Sequence, residues 1–126
     1  MYSHMTVGSN DIERSRKFYD ATFQAIGGKA GITDDRGRLI YLHNGGAFVV
    51  TTPIDGNPAT AGNGCTIGIA MSPEQADAWH AAGAANGGTA IEDPPGVRGE
   101  GTPGATYLAY LRDPDGNKLC ALHRMG

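Results

Sequence analysis

The side chains of this chain best suited to chemistry are two histidines, a late cysteine, two strand tyrosines and a loop arginine. His4 stands in the opening strand. It suits metal ligation or general acid/base work, because imidazole titrates nearer neutrality than other side chains. Cys120 suits a nucleophile or a thiolate ligand, or simply a small apolar filler. His43 sits at a strand end beside a turn, a possible third ligand. Tyr41 and Tyr110 offer flat walls with hydroxyl tips, fitted to an aromatic or conjugated guest. Arg98, in a loop rich in glycine and proline, is placed to close over an anion.

The elements that aim these groups come next. Tyr2 to Gly8 alternates as a strand, with Met5 and Val7 on one side and His4 and Thr6 on the other. Asn10, with Glu13 three residues on, reads as a helix cap, and Ile12, Tyr19, Phe23 and Ile26 form the apolar stripe that follows. Gly27 and Gly28 end that helix. Strands are expected over about 29–34, 38–43 and 47–52, joined at Asp35-Arg36-Gly37 and Asn44-Gly45-Gly46.

Residues 53–64 have no periodicity and read as a linker. Beyond it, Ile67, Ile69 and Met71 share one strand face, while Thr66, Gly68 and Ala70 share the other. Ser72-Pro73-Glu74-Gln75 opens a helix running to about Asn86, and Gly87-Gly88 stops it. Thr89 to Asp93 reads as a short strand and Pro94 to Gly104 as irregular loop. Thr106–Arg112 and Lys118–His123 form a hairpin around Asp113-Pro114-Asp115-Gly116-Asn117.

The chain spells one unit twice. Ala25-Ile26-Gly27-Gly28-Lys29-Ala30 returns as Ala85-Asn86-Gly87-Gly88-Thr89-Ala90, and Leu39-Ile40-Tyr41-Leu42 returns as Leu108-Ala109-Tyr110-Leu111. Two copies of one supersecondary unit imply a pocket where they face each other. Each half reads βαβββ, so the fold class is α+β: two modules, about 2–52 and 65–124, within one domain spanning 1–126. One helix covers one face of each sheet and leaves the other concave. The late hairpin pairs Tyr110 with Cys120 and Leu108 with Leu122, on the face opposite Ala109, Leu111, Leu119 and Ala121. His4, Thr6, Thr66, Tyr110 and Cys120 are therefore expected in the concavity, with Tyr41 facing Tyr110.

Composition narrows the function. With 13 acidic and 10 basic residues the chain carries −3 and no basic run, which argues against a nucleic-acid partner. No apolar stretch is long enough for a membrane span, so no membrane partner is expected. Two cysteines without metal-type spacing suggest a reduced, cytoplasmic protein. Twenty glycines, against an average of roughly 7%, point to many tight turns.

His4 in its strand, Asp11-Ile12-Glu13-Arg14-Ser15-Arg16-Lys17-Phe18-Tyr19 and Arg112-Asp113-Pro114-Asp115-Gly116-Asn117-Lys118-Leu119 together resemble the vicinal oxygen chelate superfamily. That superfamily holds glyoxalase I, bleomycin-resistance proteins and extradiol dioxygenases, and the resemblance covers essentially the whole chain. It implies a homodimer and, in metal-dependent members, one divalent ion held by a first-strand histidine and a last-strand glutamate from each module. Carried over, those positions fall on His4, Val49, Thr66 and Cys120, and only His4 matches.

No metal or other cofactor is therefore expected, and the first expectation is a small organic molecule bound in the cleft. His4, Thr6, Tyr41, Val49, Thr66, Arg98, Tyr110 and Cys120 would line it. One alternative is a glyoxalase-like lyase or dioxygenase-type enzyme whose site for Zn, Ni, Mn or Fe is rebuilt from His4, Cys120 and His43. The other is a metal-free enzyme with His4 as its catalytic acid/base.

Overall fold

Alternating apolar residues make Met5–Gly8 the strand β1, and Ile12–Ala25 follows as helix α1. The cap of α1 is Asp11, not Asn10. Asp11 is extended and accepts the backbone N–H of Arg14, whereas the Asn10 amide is spent on both backbone groups of Ala59. The first module continues through β2 (Ile32–Thr33), β3 (Leu39–His43) and β4 (Gly46–Thr51). The second comprises β5 (Ile67–Ala70), α2 (Pro73–Ala85), β6 (Thr89–Ala90), β7 (Gly96–Arg98), β8 (Thr106–Arg112) and β9 (Lys118–Arg124). Ser72 and Gln75 close the expected capping box on α2. The computed structural model describes all 126 residues.

The architecture is α+β, two modules with open sheets that do not close on one another. The first sheet runs β1-β4-β3-β2 and the second β5-β9-β8-β6. Strand β7, inside the segment read as irregular, pairs with β8 and adds a strand to the second module. In each sheet the opening strand lies parallel to the closing one, Met5 beside Phe48 and Ile67 beside Leu119. The late hairpin has the expected register, with Arg112 opposite Lys118, Tyr110 opposite Cys120 and Leu108 opposite Leu122.

Side-chain period then decides which face is buried. Val7, Leu39, Tyr41, Phe48 and Val50 in one sheet, with Ala109, Leu111, Leu119 and Ala121 in the other, belong to a single core. Helices α1 and α2 pack on each other and complete it through Phe18, Tyr19, Phe23 and Trp79. Thr22 and Phe18, outside the stripe read from the sequence, meet α2 at Gly83, where an added Cβ would strike Leu111 and come 3.1 Å from Phe18. The concave faces take no part in this core. Thr6, Leu42, Gly68 and Ala70 on them are exposed.

Glycine pairs end both helices with a division of labour. Gly27 and Gly87 take positive φ, 82° and 97°, as helix-terminating residues do. Gly28 and Gly88 do not; they lie where a Cβ would come 2.9 Å from the Phe23 carbonyl and 2.8 Å from that of Gly83, respectively.

The Asp113–Asn117 turn joins the modules. Asp113 and Asn117 are buried; Tyr19 of α1 donates to Asp113 at 2.5 Å, and Asn117 donates to the Gly8 carbonyl at 3.1 Å. Asp115 accepts from the Asn10 N–H, the Arg14 guanidinium and the Ser15 hydroxyl at the start of α1. The turn thus supplies acceptors to a helix N-terminus of the other module.

Candidate functional site

Strand register places Thr6 and Val49 side by side on the concave face of the first sheet. Ile40 faces the same way, next to Val49 on its other side. His4 precedes β1 and is exposed, its Nδ1 hydrogen-bonded to the Ser3 hydroxyl at 2.8 Å. No carboxylate orients it. On the second sheet, Tyr110 and Cys120 are neighbours, with Gly68 next to Cys120. Thr66 lies exposed just before β5.

Two residues not anticipated as site residues join this second group. Lys118 sits over the Tyr110 ring, 5.0 Å from its centre, and is ion-paired to Glu92. An ion pair between positions so far apart in sequence leaves no local pattern to read. Arg98 belongs to the same face, opposite Thr106 in β7. Its guanidinium donates to the carbonyls of Gly96 at 3.1 Å and of Asp93 and Pro94 at 3.0 Å.

Burial raises the pKa of the Cys120 thiol, and Glu92 adds to the rise while Tyr110, Lys118 and Arg98 oppose it. At neutral pH Cys120 is a thiol, which weakens the nucleophile reading. Burial also raises Tyr110, with Cys120 the next cause, so its hydroxyl stays a donor.

Tyr41 departs from expectation. It is 2% exposed, stacks on Phe23 with ring centres 4.7 Å apart, and donates to Asp20 at 2.7 Å. It lies on the helix-covered face with Leu39, not in the concavity opposite Tyr110. Matching Leu39-Ile40-Tyr41-Leu42 to Leu108-Ala109-Tyr110-Leu111 is out of step by one residue, and one residue changes the face. His43 shares the Tyr41 face and packs edge-on to Phe23. It therefore points away from the Thr6 side. Tyr41 and His43 instead border a hollow of about 280 Å³ along β5, with Met5, Phe23, Phe48 and Ile67.

The buried phenols make stability sensitive to alkali. Tyr19 is raised well above 10.0 by burial and then by Asp113; Tyr41 is raised by burial and then by Asp20. A folded-state pKa above the unfolded one means the unfolded chain loses its proton first. Their contribution is thus complete below pH 10 and declines as pH climbs from there toward the folded values. Urea midpoints are expected to fall steeply above pH 10, and less so in Tyr19→Phe; a flat profile would contradict the burial assigned to these hydroxyls.

The profile of the glyoxalase/bleomycin resistance protein/dioxygenase superfamily matches residues 2–121. The chain belongs to that superfamily. A glyoxalase/bleomycin resistance protein from Albidiferax ferrireducens T118 is 58% identical, with a TM-score of 0.91 over 98% of this chain and 99% of that one. A glyoxalase/bleomycin resistance protein/dioxygenase family enzyme from Burkholderia phytofirmans PsJN is 19% identical, covers 98% of both chains and gives a TM-score of 0.72. A glyoxalase-related enzyme from Fulvimarina pelagi, also 19% identical, gives 0.70 over 97% of this chain and 86% of its own. The two distant structures show the shared fold alone. No curated protein matches the chain.

Residues of this superfamily member that correspond to metal-ligand positions do not fit a divalent ion. No three His, Cys, Asp or Glu side chains gather where they could hold one. His4 precedes the first sheet, His43 lies on the core-side face of that sheet, and Cys120 belongs to the other sheet. Val49 and Thr66 offer no anionic or imidazole donor. Metal sites with an open position use about three protein ligands, and two are the most these positions offer.

Neither helix is long and apolar enough to cross a membrane.

Proposed function

We propose that this superfamily member binds a small organic molecule against its concave sheet faces, without the divalent ion of metal-dependent relatives. The observation that carries this reading is the set of side chains at the four ligand positions: an imidazole, a valine, a threonine and a buried thiol. Around them stand an aromatic ring at Tyr110, apolar side chains at Ile40, Leu108 and Leu122, and glycine at position 68. This lining suits a flat or branched guest.

The cleft forms in a homodimer. In one chain α1 and α2 pack together beneath both sheets, and each concave face is open to solvent. A second copy would turn each of these faces into one wall of a closed site. Both cysteines are free thiols, which supports a reducing, cytoplasmic setting.

Element analysis after dialysis against zinc, nickel and manganese tests the metal-free reading, alongside sedimentation equilibrium. A dimer without stoichiometric metal, stabilised against heat by a small-molecule ligand, is the expected result. Near-stoichiometric metal that disappears in His4→Ala would overturn it in favour of a rebuilt metal site.

A further inference from the structure

The two concave faces differ in charge. Thr6, Ile40, Leu42 and Val49 on the first sheet are uncharged. The second carries Arg98, Lys118 and Glu92 around Tyr110 and Cys120, with Arg112 and Arg124 at the two ends of the same face. Lys118 is balanced by Glu92, but no carboxylate lies within ion-pairing distance of Arg98. Its three acceptors are backbone carbonyls, which fix the guanidinium in place without cancelling its charge. Of its five N–H groups, two remain for a ligand. Arg112 and Arg124 stand on the same face, opposite Lys118 and Thr106, and neither has a carboxylate partner, so positive charge is in excess there on a chain whose net charge is −3.

Glu92 offsets only the Lys118 charge. Its φ is +59°, in the left-handed region where glycine or asparagine sits with less strain. A glutamate kept there supplies a carboxylate that anchors Lys118 above the Tyr110 ring. Such strain persists where the surroundings enforce it, and it concentrates at ligand clamps. Leu108 and Leu122 continue the same face as an apolar floor.

Building on the proposed binding function, we infer that the ligand is a small anion with an apolar body, an aromatic or branched carboxylic acid. Its carboxylate meets a free N–H group of Arg98 and the ammonium of Lys118, and its body lies on Tyr110 and the leucines. Charge-assisted hydrogen bonds to a carboxylate are shorter and stronger than neutral ones.

Calorimetry with benzoate, benzamide and phthalate on the intact protein tests this. Benzoate is expected to bind, with benzamide at least tenfold weaker, and Arg98→Gln and Lys118→Gln each weakening benzoate about tenfold. Glu92→Gln, which removes the negative charge beside Lys118, should tighten benzoate and phthalate alike. The melting temperature of each variant without ligand separates lost binding from lost folding. Benzamide binding as tightly as benzoate would overturn the anion inference and leave the cleft-binding reading standing. If none of the three binds at millimolar concentration, the cleft-binding reading falls and this inference with it.

Discussion

Asp113→Ala is expected to destabilise the protein by roughly 3–5 kcal/mol, the cost of stranding several buried donors at once. The carboxylate is 3% exposed and accepts four hydrogen bonds. They come from the Tyr19 hydroxyl at 2.5 Å, the backbone N–H groups of Asp115 and Asn117 at 2.9 Å, and the Asn117 amide at 2.8 Å. Alanine would leave all four donors without that acceptor, in a space that admits little water. Tyr19→Phe removes one donor and leaves the carboxylate three, so about 1–2 kcal/mol is expected. Urea unfolding measures both. Equal losses in the two variants would mean that the turn is not the joint between modules described above.

Gly88→Ala should cost about 3 kcal/mol, at the upper end of overpacking effects. The added methyl would strike Phe18 and come 2.8 Å from the Gly83 carbonyl and 3.0 Å from that of Arg112. A ring can swing aside, but two backbone oxygens on α2 and β8 cannot both retreat without opening the helix end. Gly46→Ala is the matched control: its nearest neighbour is the His43 carbonyl at 3.7 Å. It should change stability by less than about 0.5 kcal/mol. Thermal unfolding of the pair gives the comparison, and a Gly88→Ala protein as stable as the parent would show that α2 and β8 are less tightly set than their geometry indicates.

Much of the scaffold was legible in local chemistry. The Ser72–Gln75 box, the Gly27 and Gly87 stops and the Tyr110–Cys120 register each follow from a short stretch of residues with one good solution. The second-sheet concave face was legible for the same reason, because a five-residue turn sets the pairing of every residue behind it. Tyr41 was not legible. Ile40, Tyr41 and Leu42 are all apolar enough for either face, so alternation is silent there, and only the Phe23 ring and the Asp20 carboxylate decide. Strand β7 escaped because Gly96-Val97-Arg98 carries a single apolar side chain. The Glu92–Lys118 pair and the carbonyl cradle of Arg98 are tertiary facts, invisible to any window along the chain.

The separation of the core from the concave faces has a further consequence. Thr6, Val49 and Thr66 lie outside the cluster that holds the molecule together, and Thr6 and Thr66 are exposed. Exchanging such residues leaves the folding energy nearly untouched, since little buried area is lost or gained. A scaffold of this kind is free to surrender one chemistry and adopt another at those addresses, its thermal tolerance unaltered throughout.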